Sequence, residues 1–533
     1  MKSTNRKCIA AIPLLAMLSI PVQFAAQDRQ GHNDDKHHQY QLIDMGTFGG
    51  PASLVNPPFN VFPAINNRGT TVGSSATAIL TNSYSNFFVC GGLDGLVPNV
   101  FHAFALQDGS AVDLGSLAGS GYCSDAAAVN ARGDITGGSE IAVIDPLFGI
   151  NQLRAVFWEK GAITDLGTFG GNGSFAGSIN DRGQVVGSAL NTIPDPVSMF
   201  DWQIGGSTMG TQTRAFVWDK HNGMRDLGTL GGPDAAGGFV NNPGQVVGWS
   251  YTNSTINSTT GLPTTHPFLW KNGKMIDLGT LGGTLAGSGI DNMLGGLNSN
   301  GQVVGLSTLF GDQGCTGSLN GCVIDPFFWS DGKMIDLFSS TSGGNPLTAN
   351  AINDAGEIVG AAAFPTQPYD AYLWNSGVAT DLGHLNGDCY SEAWAINSRG
   401  QVTGISFSCD FSSMRVFLWQ NGAIVDLNSL IPPNSSLQLA VPMAINDEGA
   451  IAGVGAPPGV CSDCVNVAGH AFLAIPTDED DRERPAAASS VQNNAVQDNQ
   501  RIAAPLDGDA SRKIMREVHA RIAGLHHRFG GRN

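Results

Sequence analysis

The phrase Ile43-Asp-Met-Gly-Thr-Phe-Gly-Gly50 returns along this chain, and its recurrence constrains the fold more than any other feature. Its relatives are DLGSLAG at 113–119, DLGTFGG at 165–171, DLGTLGG at 226–232 and 277–283, DLF at 336–338, DLGHLNG at 381–387 and DLNSL at 426–430. A sequence repeat is a structural unit that cannot bury its apolar face alone, so neighbouring copies must stack. The chain is therefore built as an array, and any function is read from the surfaces of an array.

Three further phrases interleave with the first in fixed order. A segment of the A-I-N type (AINN at 64–67, AVNA at 128–131, SIND at 178–181) recurs eight times, its asparagines being Asn66, Asn130, Asn180, Asn241, Asn298, Asn353, Asn397 and Asn446. A short apolar run closed by glycine follows, as in GQVVG at 183–187, 244–248 and 301–305. An aromatic strand comes third, as in HAFAL at 102–106, RAFVW at 214–218 and HAFLA at 470–474. The D-L-G strand is fourth. From Gly69 to Gly449 there are seven periods over 380 residues, about 54 residues each. Asn-x-x-Gly between the first two parts suits a type I turn followed by a left-handed residue. Short glycine turns such as KNGK at 271–274 join the last two. Each unit thus reads as two hairpins, four antiparallel strands in all. Abundant glycine (71 residues) and few charged residues (14%) agree with short strands and tight turns rather than long helices.

The parts do not divide evenly. An orphan fourth strand opens the array at 40–46, and an orphan third strand ends it at 470–476. The two complete one unit between them. The expected architecture is an all-β, eight-bladed β-propeller over residues 40–476, its ring closed by the N-terminal strand, with no long open sheet edge. An open solenoid is the rival, and which strand lies innermost is left undecided.

Taken together, HAFAL, HAFLA, RAFVW, the D-L-G-T-L-G-G phrase and A-I-N-x-x-G-Q-V-V-G resemble the HAF family of extracellular repeats of bacterial exported proteins, over about residues 41–476. The fifth unit departs from the pattern with DLF, and the eighth lacks the terminal Trp. The resemblance implies export and a repeat fold; it brings no catalytic residues to carry over.

Outside the array, residues 1–26 read as a signal peptide, with Lys2, Arg6 and Lys7 ahead of an apolar run. Residues 27–39 form a polar linker and 477–510 a disordered one. Residues 511–533 hold a short basic amphipathic helix and tail, with Ile514, Val518, Ile522 and Leu525 on one stripe. No other stretch is apolar enough to span a membrane. Eight cysteines remain after the signal, and neighbour pairing predicts disulfides Cys90–Cys123, Cys315–Cys322, Cys389–Cys409 and Cys461–Cys464. The net charge of −18 leaves no basic footprint for nucleic acid. The expected location is secreted or extracellular, with the periplasm or cell surface as the alternative, and the expected state is a monomer.

The eight in-register aspartates, Asp44, Asp113, Asp165, Asp226, Asp277, Asp336, Asp381 and Asp426, are expected to hold turns. A shared turn needs the same residue every time, whereas catalysis needs groups whose environments differ. No catalytic motif, metal site or cofactor site is apparent. The long loops between second and third strands vary most and should gather on one side of the ring. Tyr84, Trp202, Trp249 and Tyr251 are their candidate ligand contacts. The leading expectation is a non-enzymatic binding module contacting a polysaccharide or protein through that face. The alternative is an exported glycan-acting hydrolase or lyase using the non-repeated loop acids Asp94, Glu140, Asp195, Asp201 or Asp312.

Overall fold

A computed structural model describes residues 39–477, except 56–62, 87–88, 91–96, 108, 148, 200–209, 287–293, 310–311, 313–322 and 461–464. The signal-like segment, most of the N-terminal linker and the tail after 477 lie outside the described residues.

Asn-x-x-Gly turns and Gly-centred hairpins fold the chain into antiparallel sheets, most of them four-stranded. The third repeat is representative: Ser174–Ile179, Val185–Asp195, Gly210–Asp219 and Gly223–Asp226 pair in chain order. A bulge interrupts the first pairing between Ala176 and Ser178. At that point a Cβ on Gly187 would stand 2.0 Å from the Phe175 carbonyl oxygen, so only glycine fits near the start of the second strand. The turn before it places Gly183 at φ 76°, in the left-handed region its lack of a side chain permits.

Sheets join through the asparagines. Asn66 Nδ2 donates to the backbone carbonyl of Asn130, Asn130 to that of Asn180, and so on through Asn241, Asn298, Asn353, Asn397 and Asn446. Asn446 then donates to the carbonyl of Asn66 at 2.9 Å. The hydrogen bonds run in a closed cycle, which only a ring can hold; an open solenoid is excluded. Each Oδ1 meanwhile accepts the amide four residues on, as from Gln184 to Asn180 at 3.0 Å. One side chain thus caps its own turn and binds the next repeat.

The last sheet shows how the ring closes. Tyr40–Asp44 lies antiparallel to His470–Pro476, followed by Ile451–Ala456 and Gln438–Ile445. The fold is all-β and propeller-like, as expected. The first strands are innermost: Ser124–Val129 is buried throughout, whereas the fourth strand Ala162–Asp165 is largely exposed. Aromatic residues seal the seams between repeats. Trp218 meets Phe157 of the preceding repeat at 5.2 Å between ring centroids, and Trp374 meets Phe328 at 5.4 Å.

Candidate functional site

All eight repeat aspartates hold the following bend. Each Oδ1 accepts the amide two residues on, from Gly46 to Asn428, at 2.7–2.9 Å. Most are also paired with the residue that heads the third strand of the same sheet: His102–Asp113, Arg154–Asp165, Arg214–Asp226, His266–Asp277, Arg415–Asp426 and His470–Asp44. Whether that position holds His or Arg, a side-chain nitrogen is set against the aspartate.

The second-to-third hairpins form the variable face. In repeats one to four they are long, and their ends carry exposed Ile79, Leu80, Val143, Ile144, Ile193 and Ile256. Buried acids tie three of these hairpins to the next repeat. Glu140 accepts the Asn86 amide at 2.5 Å and that of Cys123 at 2.7 Å. Asp234 accepts the Met199 and Thr213 amides at 2.6 and 2.9 Å. Asp312 holds Asn257 Nδ2 at 3.0 Å and the Thr284 amide at 2.8 Å. Glu140 and Asp312 are therefore clamps, not reactive groups on open loops. Asp195 is buried beside Asp234, whose carboxyl is pushed up to about 8 by burial first and by the Asp195 charge second. Asp94 and Asp201 lie outside the described residues.

Of the expected ligand contacts, Tyr84 is half exposed, and its carbonyl accepts the Asn151 amide of the next repeat at 2.6 Å. Trp249 and Tyr251 are corrected: both are buried in one core cluster, and the Tyr251 hydroxyl donates to the Val197 carbonyl at 3.0 Å. On a strand between two sheets, large amphipathic rings fill the seam rather than face water. Trp202 lies outside the described residues. The disulfides Cys90–Cys123 and Cys389–Cys409 are formed as expected; the pairs at 315–322 and 461–464 fall outside the described residues. No helix among the described residues is long and apolar enough to cross a membrane.

One ion pair breaks the pattern. In the first four repeats the strand-head His or Arg is the buried partner and the aspartate the exposed one, 5% against 45% for His102 and Asp113. In the sixth repeat the order inverts: Asp370 heads the strand, 1% exposed, and His384 reaches it from the D-L-G-H turn, 22% exposed. His384 Nδ1 lies 2.9 and 3.0 Å from the two Asp370 oxygens. The hydrogen bond to Asp370 raises the imidazole above its ordinary value against the opposing effect of burial, and Asp381 and Asp388 add to the rise. Burial raises both Asp370 and Asp381 despite the neighbouring imidazole. Asp388 is anchored by Arg415 Nη2 at 2.9 Å and the Ser406 hydroxyl at 2.6 Å. A buried carboxylate orienting a part-exposed imidazole, with a second carboxyl nearby, is an acid–base arrangement. The sequence signal for it is the His in DLGHLNG combined with the Asp in DAYLW, legible only once the pairing rule is known.

No protein-family model matches the chain, and no curated protein matches it. Solved structures do. The acylaminoacyl peptidase of Pyrococcus horikoshii aligns at 12% identity over 78% of this chain and 59% of its own, with a TM-score of 0.37. A puromycin-hydrolyzing peptidase of Mycobacterium tuberculosis aligns at 11% over 79% and 63%, TM-score 0.36. Porphyromonas gingivalis dipeptidyl peptidase 4 aligns at 10% over 77% and 50%, TM-score 0.34. The chain thus spans about three fifths of the length of the first two. The matched proteins carry the names of peptidases, which stands against the expectation of a non-enzymatic binding module. Likeness at this level concerns fold, so activity in this chain rests on its own side chains.

Proposed function

We propose that this chain is an exported, monomeric, eight-bladed β-propeller of HAF-type repeats, spanning residues 40–476, and that it hydrolyses glycans with His384 as general base. The eight-step asparagine cycle supports the blade count. The basic–apolar start of the sequence and two disulfides support export. The single observation that carries the activity is the inverted Asp370–His384 pair.

Asp370 accepts the Nδ1 hydrogen, which fixes the tautomer and leaves Nε2 as the basic nitrogen. Nε2 takes a proton from a water as that water attacks the scissile bond. Asp381, its carboxyl raised by burial, returns a proton to the leaving group. The raised imidazole must first lose its own proton, so activity climbs as pH rises through a value above the ordinary histidine pKa of about 6.5.

The test is a screen of the purified chain against plain and acetylated polysaccharides, with peptide substrates as a second arm. Turnover that falls by about 10²-fold or more in His384→Gln, with melting temperature retained, supports the reading. Equal rates in wild type and His384→Gln sink it. Turnover of peptides alone replaces the substrate class and keeps the base.

A further inference from the structure

The disulfide Cys90–Cys123 ties the first hairpin to the start of the second repeat, and Glu140 meets it there. The two sulfurs and a carboxylate oxygen lie within 4.8 Å of one another, and all three residues are at most 2% exposed. Glu140 Oε1 accepts from the Asn86 amide and from Asn151 Nδ2, and Oε2 accepts from the Cys123 amide. An ionised carboxylate offers about four lone-pair positions, so one remains on Oε2. Among the described residues no ion pair involves Glu140, a fully buried side chain held by three N–H donors. The Phe101 amide donates to Cys123 Sγ at 3.4 Å, a contact that favours thiolate over thiol.

We propose that this pocket is a metal site in the reduced chain, taking a borderline-soft dication such as Zn²⁺ through two thiolates and a carboxylate. Metal and disulfide are alternative occupants of one place. Two small thiols, oxidised to their own disulfide, or one phosphine, oxidised to its oxide with water supplying the oxygen and both protons, convert the protein disulfide to two thiols. Binding then releases both thiol protons. Three anionic ligands leave the fourth tetrahedral position to water. The dication supplies the counter-charge that Glu140 lacks in the oxidised form.

Cadmium is the probe, because thiolate–cadmium bonds absorb in the ultraviolet. The full chain, reduced with a phosphine and checked for retained near-ultraviolet circular dichroism, is titrated with Cd²⁺. Wild type should take up a tight equivalent that the oxidised chain does not. Glu140→Gln keeps both thiols and should bind about tenfold or more weakly; Cys90→Ser should lose that equivalent, and Cys389→Ser should retain it. Equal uptake by wild type and Cys90→Ser, unchanged affinity in Glu140→Gln, or loss of the folded signal on reduction without recovery on adding metal would each overturn the proposal.

Discussion

Carboxyl groups of two kinds recur in this chain, and their surroundings decide which. The repeat aspartates accept the amide two residues on, and most of them pair with the His or Arg that heads the third strand. The clamp acids are buried and accept amides from the neighbouring repeat. Asp234 is the extreme case. With its carboxyl near 8, it holds a proton in the folded ring at neutral pH, whereas in the unfolded chain it would ionise above about pH 4. The fold thus binds an extra proton between those values. The stability this confers is fully present below about pH 4 and is lost as pH rises through about 8. Asp195→Asn would offer an amide hydrogen to Asp234 in place of the shared proton and remove the like charge. The melting temperature of that variant should fall less between pH 6 and 9 than that of wild type; parallel curves would show that the pair does not share a proton. The repeat aspartates were legible because identical turns demand identical residues. Glu140, Asp234 and Asp312 were not assignable as clamps, because they stand at different places in their repeats and act across a seam that no single repeat contains.

At the level of the element, the Asn-x-x-Gly turn does more than reverse the chain. Asn180 accepts the Arg182 and Gln184 amides while its Nδ2 donates to Gln184 Oε1 and to the Asn241 carbonyl. The turn chemistry was readable in the sequence; the bond to the next repeat was not, since it joins residues 61 apart. Replacing the amide with a carboxylate, Asn180→Asp, would set an anion against two acceptor oxygens in a buried place. Chemical denaturation should register a loss of about 2–3 kcal/mol. A change within error would mean that a water can stand in for the amide and that the cycle tolerates a gap. Trp249 and Tyr251 failed as surface residues for a related reason. Their strand begins as an outward hairpin by sequence, but a neighbouring sheet covers the face on which both rings lie.

For the whole molecule, the orphan strands at the two ends were the most informative count, and the structure pairs them register for register from Tyr40↔Pro476 to Asp44↔Phe472. His470 Nδ1 reaches Asp44 at 3.0 Å, and the Tyr40 hydroxyl reaches the Gly449 carbonyl at 3.3 Å. A chain beginning at Thr47 would expose the edge of His470–Pro476 and lose the aspartate that pairs with His470. It should melt at a lower temperature and self-associate in light scattering; an equally stable monomer would show that the seam contributes little. The number of repeats follows from counting phrases. The His384 site does not, because it is an exception to a pairing rule that becomes visible only in three dimensions.

The same seam sets an order of events. A strand emerging early from synthesis or from a translocation pore has its partner more than four hundred residues behind it, so the last sheet has to wait until almost the entire array has passed through. Until then Tyr40–Asp44 is a free β-edge, open to the wrong chain as much as to the right one. A circular permutant cut in a turn between two other repeats would make those strands neighbours in sequence, and it should refold faster than the natural order at equal final stability.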